Sequence, residues 1–178
     1  MRVIGLAGWS GAGKTTLMVK LIPCLNGRGI GVSTLKHAHH RFDVDVPGKD
    51  SWQHRQAGAQ QVMVASGARW ALMTELRSAA EPRLPELIAR MDPVDLVIVE
   101  GFKRDAHPKL EVHRAANAKP WMHPDMPGIV AVASDTPPPY DLPRAGLDQV
   151  EAIADLVLAH AKMIKDIPWT EGYGAAFG

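Results

Sequence analysis

The sequence predicts an α/β protein of three layers, in which a mainly parallel sheet lies between helices and carries an inserted β-hairpin. Nearly continuous apolar runs at 3–7, 94–99 and 129–133 are typical of parallel strands buried on both faces. Segments with apolar residues at helical spacing separate these runs. A glycine-rich segment joins the first strand to the first helix, which is the arrangement of a phosphate-binding strand–loop–helix unit.

In the first half of the chain, strands and helices alternate until the hairpin. The first helix is expected to stop at Gly27-Arg28-Gly29, and Pro23 should kink it or shorten its last turn. Residues 66–68, Ser-Gly-Ala, have the composition of a hairpin turn. The elements predicted after the first helix are a strand at 30–36, a short helix at 50–58 and hairpin strands at 61–65 and 69–73.

The second half of the chain continues the alternation. Its predicted elements are a weakly patterned helix at 85–91, a buried strand at 94–99, an edge strand at 109–113, a buried strand at 129–133 and a helix at 150–164. The last helix is predicted from an apolar stripe through Ile153, Leu156, Val157 and Met163. Residues 1–168 are therefore predicted to form one domain, and residues 169–178 a flexible tail.

Residues 8–15 match the pattern G-x-x-x-x-G-K-[ST], the P-loop that surrounds nucleotide phosphates. Glycines let the backbone turn tightly and point successive N–H groups inward, and the following helix adds the positive end of its dipole. Lys14 is predicted to reach the β- and γ-phosphates, and the Thr15 hydroxyl is predicted to bind Mg²⁺. The motif completes the prediction of a three-layer P-loop NTPase fold.

A carboxylate near Mg²⁺ is predicted at the end of the strand at 94–99. Glu100 lies at the carboxyl end of this strand, whereas Asp95 lies about 16 Å away at the other end, by strand rise. Ligands of open α/β sheets collect at the carboxyl ends of strands. We therefore predict that Glu100 serves the metal directly or through water; the alternative is that it only caps the loop at Gly101.

The polar loop after the second strand has several possible uses. His37, His39, His40, Asp43 and Asp45 are of residue types that bind transition metals, but their spacing matches no closed zinc pattern. A loop that contacts phosphate or a partner, or a plain solvated loop, fits the residues equally well.

Two further residues near this loop have alternative roles. Asp50 is a candidate for positioning water or Mg²⁺ and equally a candidate helix N-cap. Lys36 is placed to add positive charge opposite the phosphates, or it is an ordinary surface lysine.

Composition bounds the classes of function. The 20 basic and 19 acidic residues nearly balance, which gives no support for nucleic-acid binding. No run is long enough to cross a membrane, the first strand starts almost at Met1, and the single cysteine excludes an intramolecular disulfide. We therefore expect a cytoplasmic protein with neither nucleic acid nor membrane as a partner.

Several segments together make the chain resemble the MobB family of molybdopterin-guanine dinucleotide biosynthesis adaptors. Lys-His-x-His-His at 36–40 and Pro-Gly-Lys-Asp-Ser at 47–51 are much more specific than the P-loop alone. The segments that carry the resemblance are 7–17, 35–40, 43–51, 55–59, 69–74, 99–103 and 131–135.

The resemblance implies a dimeric GTP-binding protein with weak GTPase activity that assists the guanylyltransferase MobA, the enzyme that attaches GMP to molybdopterin. It implies that Thr15 and Glu100 serve Mg²⁺, that Asp50 lies near the γ-phosphate and that Lys36 and His37 belong to the nucleotide site. It also implies that residues 11–16 contact the phosphates: Gly11, Ala12, Gly13, Lys14, Thr15 and Thr16.

Base selectivity and partners remain predictions with alternatives. No N-K-x-D segment is present, but Asp135 ends a strand at the expected edge and its carboxylate matches guanine's N1–H and amine. The alternative is that Asp135 is a turn residue before Pro137. The hairpin, with apolar Met63, Trp70 and Met73, suggests a dimer through an open strand edge. Lys103, Arg104, His107 and Lys109 are candidates for holding an anionic pterin in a basic cleft; the alternative, which the sequence favours, is a solvated loop. A metal-insertion chaperone and a small-molecule kinase are the competing functions.

Overall fold

The computed structural model describes residues 1–38 and 42–169, which form two compact units. The first unit comprises residues 1–37 and 83–169, and the second comprises residue 38 and residues 42–82. The elements in chain order are β1 (Arg2–Ala7), α1 (Lys14–Gly27), β2 (Val32–Lys36), α2 (Asp50–Gln56), β3 (Gln61–Ala65), β4 (Trp70–Thr74), α3 (Leu84–Ile88), β5 (Leu96–Glu100), β6 (Lys109–His113), β7 (Ile129–Ser134), β8 (Arg144–Ala145), α4 (Val150–His160) and β9 (Lys162–Met163).

The first unit is built on a seven-stranded sheet in the order β2-β5-β1-β6-β7-β8, with β9 antiparallel to the start of β1. All other pairs in this sheet are parallel. The carboxyl ends of β1, β2, β5, β6 and β7 therefore meet at one edge. The predicted α/β fold with a mainly parallel sheet is confirmed.

Alternation along the strands divides the core into two layers. Ile4, Leu6 and Ile98 face α1 and α4, where they pack with Leu21 and Ile153. The neighbouring positions point to the other face, where Val3, Val97 and Val99 pack with Leu84 and Ile88 of α3. Both layers are almost inaccessible to water, which is why β1 and β5 show no polar alternation.

Strand β6 is an interior strand between β1 and β7, so the predicted edge strand at 109–113 is wrong. Its polar side chains are buried beneath the segment at 119–128 and are satisfied by backbone groups. Lys109 Nζ donates to the carbonyl oxygens of Asp105, His107 and Pro127. Burial lowers the pKa of Lys109 to about 8, although these acceptors favour the charged ammonium.

The buried Glu111 carboxylate is stabilised by hydrogen-bond donors. It accepts hydrogen bonds from the backbone N–H groups of Met122 at 2.6 Å and His123 at 3.2 Å. The Tyr140 hydroxyl donates a third bond at 3.2 Å. A buried carboxylate with three donors needs no cation beside it, because each donor replaces lost hydration.

Other element predictions also need correction. Helix α1 continues through Pro23 to Gly27, so the proline does not shorten it. The hairpin β3–β4 forms a separate two-stranded sheet, and the main sheet is mixed because of β9 instead. Helix α4 ends at His160, after which Lys162 and Met163 pair with β1 as β9. The short strand β8 was not predicted.

His107, just before β6, is a buried imidazole whose two ring nitrogens have no hydrogen-bond partner among the described residues. A Cβ atom at position 5 would lie 2.6 Å from its Nε2 atom, so only glycine fits there. Burial, with a smaller contribution from the Lys109 charge, lowers the pKa of His107 from 6.5 to about 3. The imidazole is therefore neutral in the folded protein at any pH near neutrality.

We predict that His107 makes the fold sensitive to acid. The folded state holds fewer protons than the unfolded state between pH 6.5 and 3, so stability is complete above pH 6.5 and falls as the pH decreases. At pH 4.5 the loss from this group is about 2–3 kcal/mol. Urea unfolding of the wild type and of His107→Leu from pH 4.5 to 7 measures this loss. The free energy of unfolding of the variant should depend less on pH than that of the wild type. His54→Leu, at an exposed position, should keep the pH dependence of the wild type, and equal pH dependence in all three proteins contradicts the assignment.

Candidate nucleotide-binding site

The loop between β1 and α1 (residues 8–13, hereafter the glycine loop) is shaped by three glycines with positive φ. Gly8, Gly11 and Gly13 have φ angles of 152°, 83° and 96°. A Cβ atom at position 8 would lie 2.6 Å from the carbonyl oxygen of Val112 in β6, so glycine is required there for backbone contact. The loop therefore lies directly against the neighbouring strand.

Helix α1 begins at Lys14 with an uncapped first turn. Gly13 occupies the N-cap position and brings no side chain to bond the helix N–H groups. Leu17 N–H already bonds the Gly13 carbonyl at 2.9 Å, which leaves the N–H groups of Lys14, Thr15 and Thr16 for another acceptor. Together with the helix dipole, these donors form a site for an anion.

The Lys14 side chain folds over the glycine loop. Its Nζ atom donates to the carbonyl oxygens of Gly8 at 2.9 Å and Trp9 at 3.1 Å. Burial lowers the pKa of Lys14, the Glu100 carboxylate opposes that shift, and Lys103 and Lys36 add to it. Lys14 thus spans the loop at the place where an anion would meet the first turn of α1.

Glu100 ends β5, adjacent to β1 in the sheet. It pairs with Leu6 in the parallel register, and its Oε2 atom lies 3.8 Å from Lys36 Nζ of β2. The sheet order thus brings Glu100 and Lys36 to the same edge as Lys14. Asp95 lies at the opposite end of β5, where its carboxylate accepts the Gly31 N–H at 2.8 Å. The structure places Glu100, and not Asp95, at the carboxyl edge.

The backbone after Glu100 is shaped by His37. The His37 N–H donates to the Glu100 carbonyl at 2.8 Å, and its ring contacts Phe102 with centroids 4.6 Å apart. Gly101 has φ of 97°, and a Cβ there would lie 2.5 Å from the His37 Cβ. His37 therefore holds the backbone of the strand end at Glu100.

Asp135 lies just after β7 and borders a cavity of about 380 Å³. One of its oxygens accepts the Ala115 N–H at 2.9 Å. The Gln149 side-chain oxygen accepts the Gly146 N–H at 2.8 Å, which fixes the amide at the cavity wall. The cavity is lined by Ser134, Asp135, Thr136, Pro137, Arg144, Ala145, Gly146 and Gln149.

In the second unit, the two aspartates of the predicted metal loop bind an arginine. Arg55 contacts Asp43 at 2.7 Å, Asp45 at 3.2 Å and Glu75 at 2.9 Å, and Ser51 donates to Asp45 at 2.8 Å. The hydrogen bond from Arg55 lowers the pKa of Asp43. The pKa of Asp45 is lowered chiefly by the hydrogen bond from Ser51. Their carboxylates are thus engaged in an ion-pair network.

The remaining residues of this loop are placed as follows. Asp50 is the first residue of α2 and Lys49 is the N-cap, so Asp50 is not the cap residue. His39 and His40 lie outside the described residues, as does the tail from 170 to 178. Within 1–38 and 42–169, no cluster of three or more His, Cys, Asp or Glu residues is arranged to hold a metal ion.

Two members of the predicted basic cleft lie in the interior. His107 and Lys109 are 0% and 1% exposed, so neither lines a surface cleft. Lys103 stands over the ring of Trp9 at 5.7 Å, and the Trp9 indole N–H donates to the Pro120 carbonyl at 2.7 Å.

No helix in the described part of the chain is long and apolar enough to cross a membrane.

Several residues at this edge were not singled out from the sequence as site residues. Arg114 and Asn117 follow β6, and Arg144 and Gln149 line the cavity next to Asp135. Arg114 directly follows the last residue of β6, and a position just after a strand end is the signal that identified Glu100 and Asp135. Arg144 lies in β8 and Gln149 follows it, and because β8 was not predicted no strand end pointed to these two residues.

Comparisons with known proteins agree with this architecture. The family model described as molybdopterin guanine dinucleotide synthesis protein B matches residues 3–135. The molybdopterin-guanine dinucleotide biosynthesis adapter protein of Escherichia coli (strain K12) is 46% identical over 159 residues, covering 88% of this chain and 91% of that protein. The Haemophilus influenzae adapter protein is 42% identical over 157 residues, with 87% and 86% covered. A crystal structure of Bacillus subtilis MobB has a TM-score of 0.69 at 23% identity, covering 91% of this chain and 99% of that one.

Proposed function

The chain belongs to the molybdopterin guanine dinucleotide synthesis protein B family, and we propose that it is a GTP-binding adapter in the biosynthesis of that dinucleotide. The observation that carries the nucleotide proposal is the uncapped first turn of α1 beneath Lys14. The partner proposed for the adapter is the guanylyltransferase that joins GMP to molybdopterin, and molybdopterin itself is a further candidate ligand. Hydrolysis of GTP by this protein is proposed to be slow.

The triphosphate would take the place of the carbonyl oxygens that Lys14 now contacts. Phosphate oxygens are stronger acceptors than carbonyl oxygens because they carry charge. The N–H groups of Lys14, Thr15 and Thr16 would supply further donors, and the Ala12 N–H, which now bonds the Trp9 carbonyl at 3.1 Å, would join them if it exchanged that acceptor for phosphate. The partly buried position of Lys14 strengthens its attraction for an anion, because water screens the pair less.

Mg²⁺ fits the oxygen donors at this edge. The Thr15 hydroxyl is exposed at the start of α1, and the Glu100 carboxylate lies at the adjacent strand end. Hydroxyl and carboxylate oxygens are the hard ligands that Mg²⁺ prefers. Bound there, the ion would neutralise phosphate charge, while Lys36 and His37 orient Glu100. Asp50 is proposed, from the family resemblance alone, to position water near the γ-phosphate.

The cavity beside Asp135 is proposed to take the guanine base. A carboxylate accepts hydrogen bonds from guanine's N1–H and exocyclic amine, groups that adenine does not offer in this arrangement. The Arg144 guanidinium and the Gln149 amide NH₂ are donors on the same wall and suit the guanine O6 and N7 atoms. The proposal of GTP over ATP depends on this pairing of acceptor and donors.

A homodimer through the hairpin is proposed as the assembly. Pairing of Met63 with Leu72 and of Ala65 with Trp70 puts these side chains on one face of the hairpin. Met63 is 60% exposed and Trp70 is 62% exposed, so this face is an apolar surface on the second unit. Such surfaces mark interaction sites in soluble proteins, and a symmetric dimer would cover both copies at once.

The nucleotide and adapter roles are tested together with Lys14→Ala. Loss of the ammonium should weaken GTP binding at least about 100-fold, because a partly buried charge pair is removed. Calorimetry with GTP and Mg²⁺ measures this, and Lys20→Ala, on the exposed part of α1, is the matched control. Wild type should also capture purified guanylyltransferase more strongly with GTP, and Lys14→Ala should lose that increase. Unchanged GTP affinity in Lys14→Ala refutes the site.

Base recognition is tested with Asp135→Asn. Asparagine keeps an oxygen for the Ala115 N–H but replaces one acceptor by a donor, so it should favour xanthine, whose C2 carbonyl replaces the guanine amine. The ratio of GTP to XTP affinity should fall about 10- to 100-fold, as expected for one or two rearranged hydrogen bonds. Competition binding measures the ratio. A wild type that binds ATP more tightly than GTP removes guanine selectivity.

The dimer proposal is tested with Trp70→Asp. A charge buried within the apolar face should separate the subunits, because its desolvation is not compensated. Sedimentation at micromolar concentration should give the mass of two chains for wild type and one for the variant. Ala71→Asp places the same charge on the opposite face and should stay dimeric. A wild type with the mass of one chain ends the proposal.

A further inference from the structure

The segment after β6 lies against the glycine loop. Residues Ala115–Asn117 form a single 3₁₀ turn, preceded by Arg114. The Asn117 side-chain NH₂ donates to the Ser10 carbonyl at 2.9 Å. Its side-chain oxygen lies 2.8 Å from the position that a Cβ would take at Gly11. The turn therefore holds the middle of the glycine loop through one side chain.

The other end of this turn is fixed by Asp135. Its carboxylate accepts the Ala115 N–H at 2.9 Å, so the turn is tied to the end of β7 as well as to the loop. The backbone at position 114 is thus held between His113 of β6 and the anchored turn. Arg114 itself continues directly from His113, the last residue of β6.

The Arg114 guanidinium lies beside the last residue of the glycine loop. Its Nη2 and Nε atoms are 3.5 and 3.9 Å from the position that a Cβ would take at Gly13. The side chain is exposed, and within 1–38 and 42–169 no carboxylate lies within ion-pair distance of it. An exposed cation without a carboxylate partner in the described part of the chain is therefore positioned at the amino end of α1.

This position is electrostatically unfavourable unless an anion is present. The amino end of a helix carries a partial positive charge, so a cation there is repelled by the dipole. Lys14, which follows Gly13 as the first residue of α1, adds a full positive charge. Arg114 and the start of α1 are both positive, and phosphate oxygens bound beside them would balance this charge.

We propose that Arg114 contacts the nucleotide phosphates as a third positive group of the site, supplied by the same chain. This inference rests on the proposed GTP binding. A guanidinium offers two parallel N–H donors that match two phosphate oxygens, which a lysine does not. In hydrolysis, water forms the new bond to the γ-phosphorus while the bond to the β-phosphate oxygen breaks, giving GDP and phosphate. Arg114 stabilises the oxygens that carry the charge and transfers no proton itself.

The test compares affinities across the number of phosphates. Arg114→Ala should weaken the binding of GTP and GDP about 10- to 100-fold and leave the affinity for GMP nearly unchanged, because the lost contact is to the outer phosphates. Arg114→Lys should recover part of the affinity, since it restores the charge without the paired donors. Arg90→Ala, exposed after α3 at the opposite edge of the sheet, is the matched control and should bind as wild type.

Two further outcomes separate this inference from the proposed function. If Lys14→Ala loses GTP and Arg114→Ala binds it normally, the site stands and the role of Arg114 is refuted. If neither substitution changes GTP affinity, the proposed nucleotide site itself fails. Unfolding by urea should give Arg114→Ala the stability of the wild type; a loss of stability that matches the loss of affinity would assign Arg114 a structural role instead.

Discussion

The site depends on one constraint, the meeting of an uncapped helix start with the carboxyl edge of a parallel sheet. Gly13 at the N-cap of α1 offers no side-chain acceptor, so the first-turn donors stay available at the point where β1 ends. Sheet order then decides which residues surround them. Glu100 comes from β5 on one side, and the segment after β6 comes from the other. A single edge thus collects donors, cations and a carboxylate from four separate parts of the chain.

Strand β6 links this edge to the interior. One face of the strand contributes Leu110 and Val112 to the core beneath α1 and α4. The opposite face carries Lys109 and Glu111, each held by three backbone or hydroxyl partners. Such fully bonded buried groups define the path of the covering segment, because any other path leaves a charge without partners. That segment also provides Pro120, the acceptor for the indole of Trp9 in the glycine loop.

The second unit is organised by a different interaction. Arg55 joins carboxylates from the loop at 43–45 and from Glu75 after the hairpin, and its side chain is only 11% exposed. Shielding from water makes such a network stronger than surface ion pairs, since the guanidinium serves three partners in fixed directions. The unit needs this network because its hairpin buries little: Val62 is the buried hydrophobic residue of β3 and β4.

The sequence by itself determined what is local along the chain. The glycine pattern and Lys14 located the glycine loop, the apolar runs located β1, β5 and β7, and the end of β5 identified Glu100, because each depends on neighbours within a few residues. Tertiary structure decided the rest. The residues at 109–113 looked like an edge strand because their burial is offset by carbonyl and N–H groups more than ten residues away, which no local pattern reveals. Arg114 and Asn117 came to the glycine loop for the same reason: their position follows from the place of β6 in the sheet, and strand order is set by packing between distant segments.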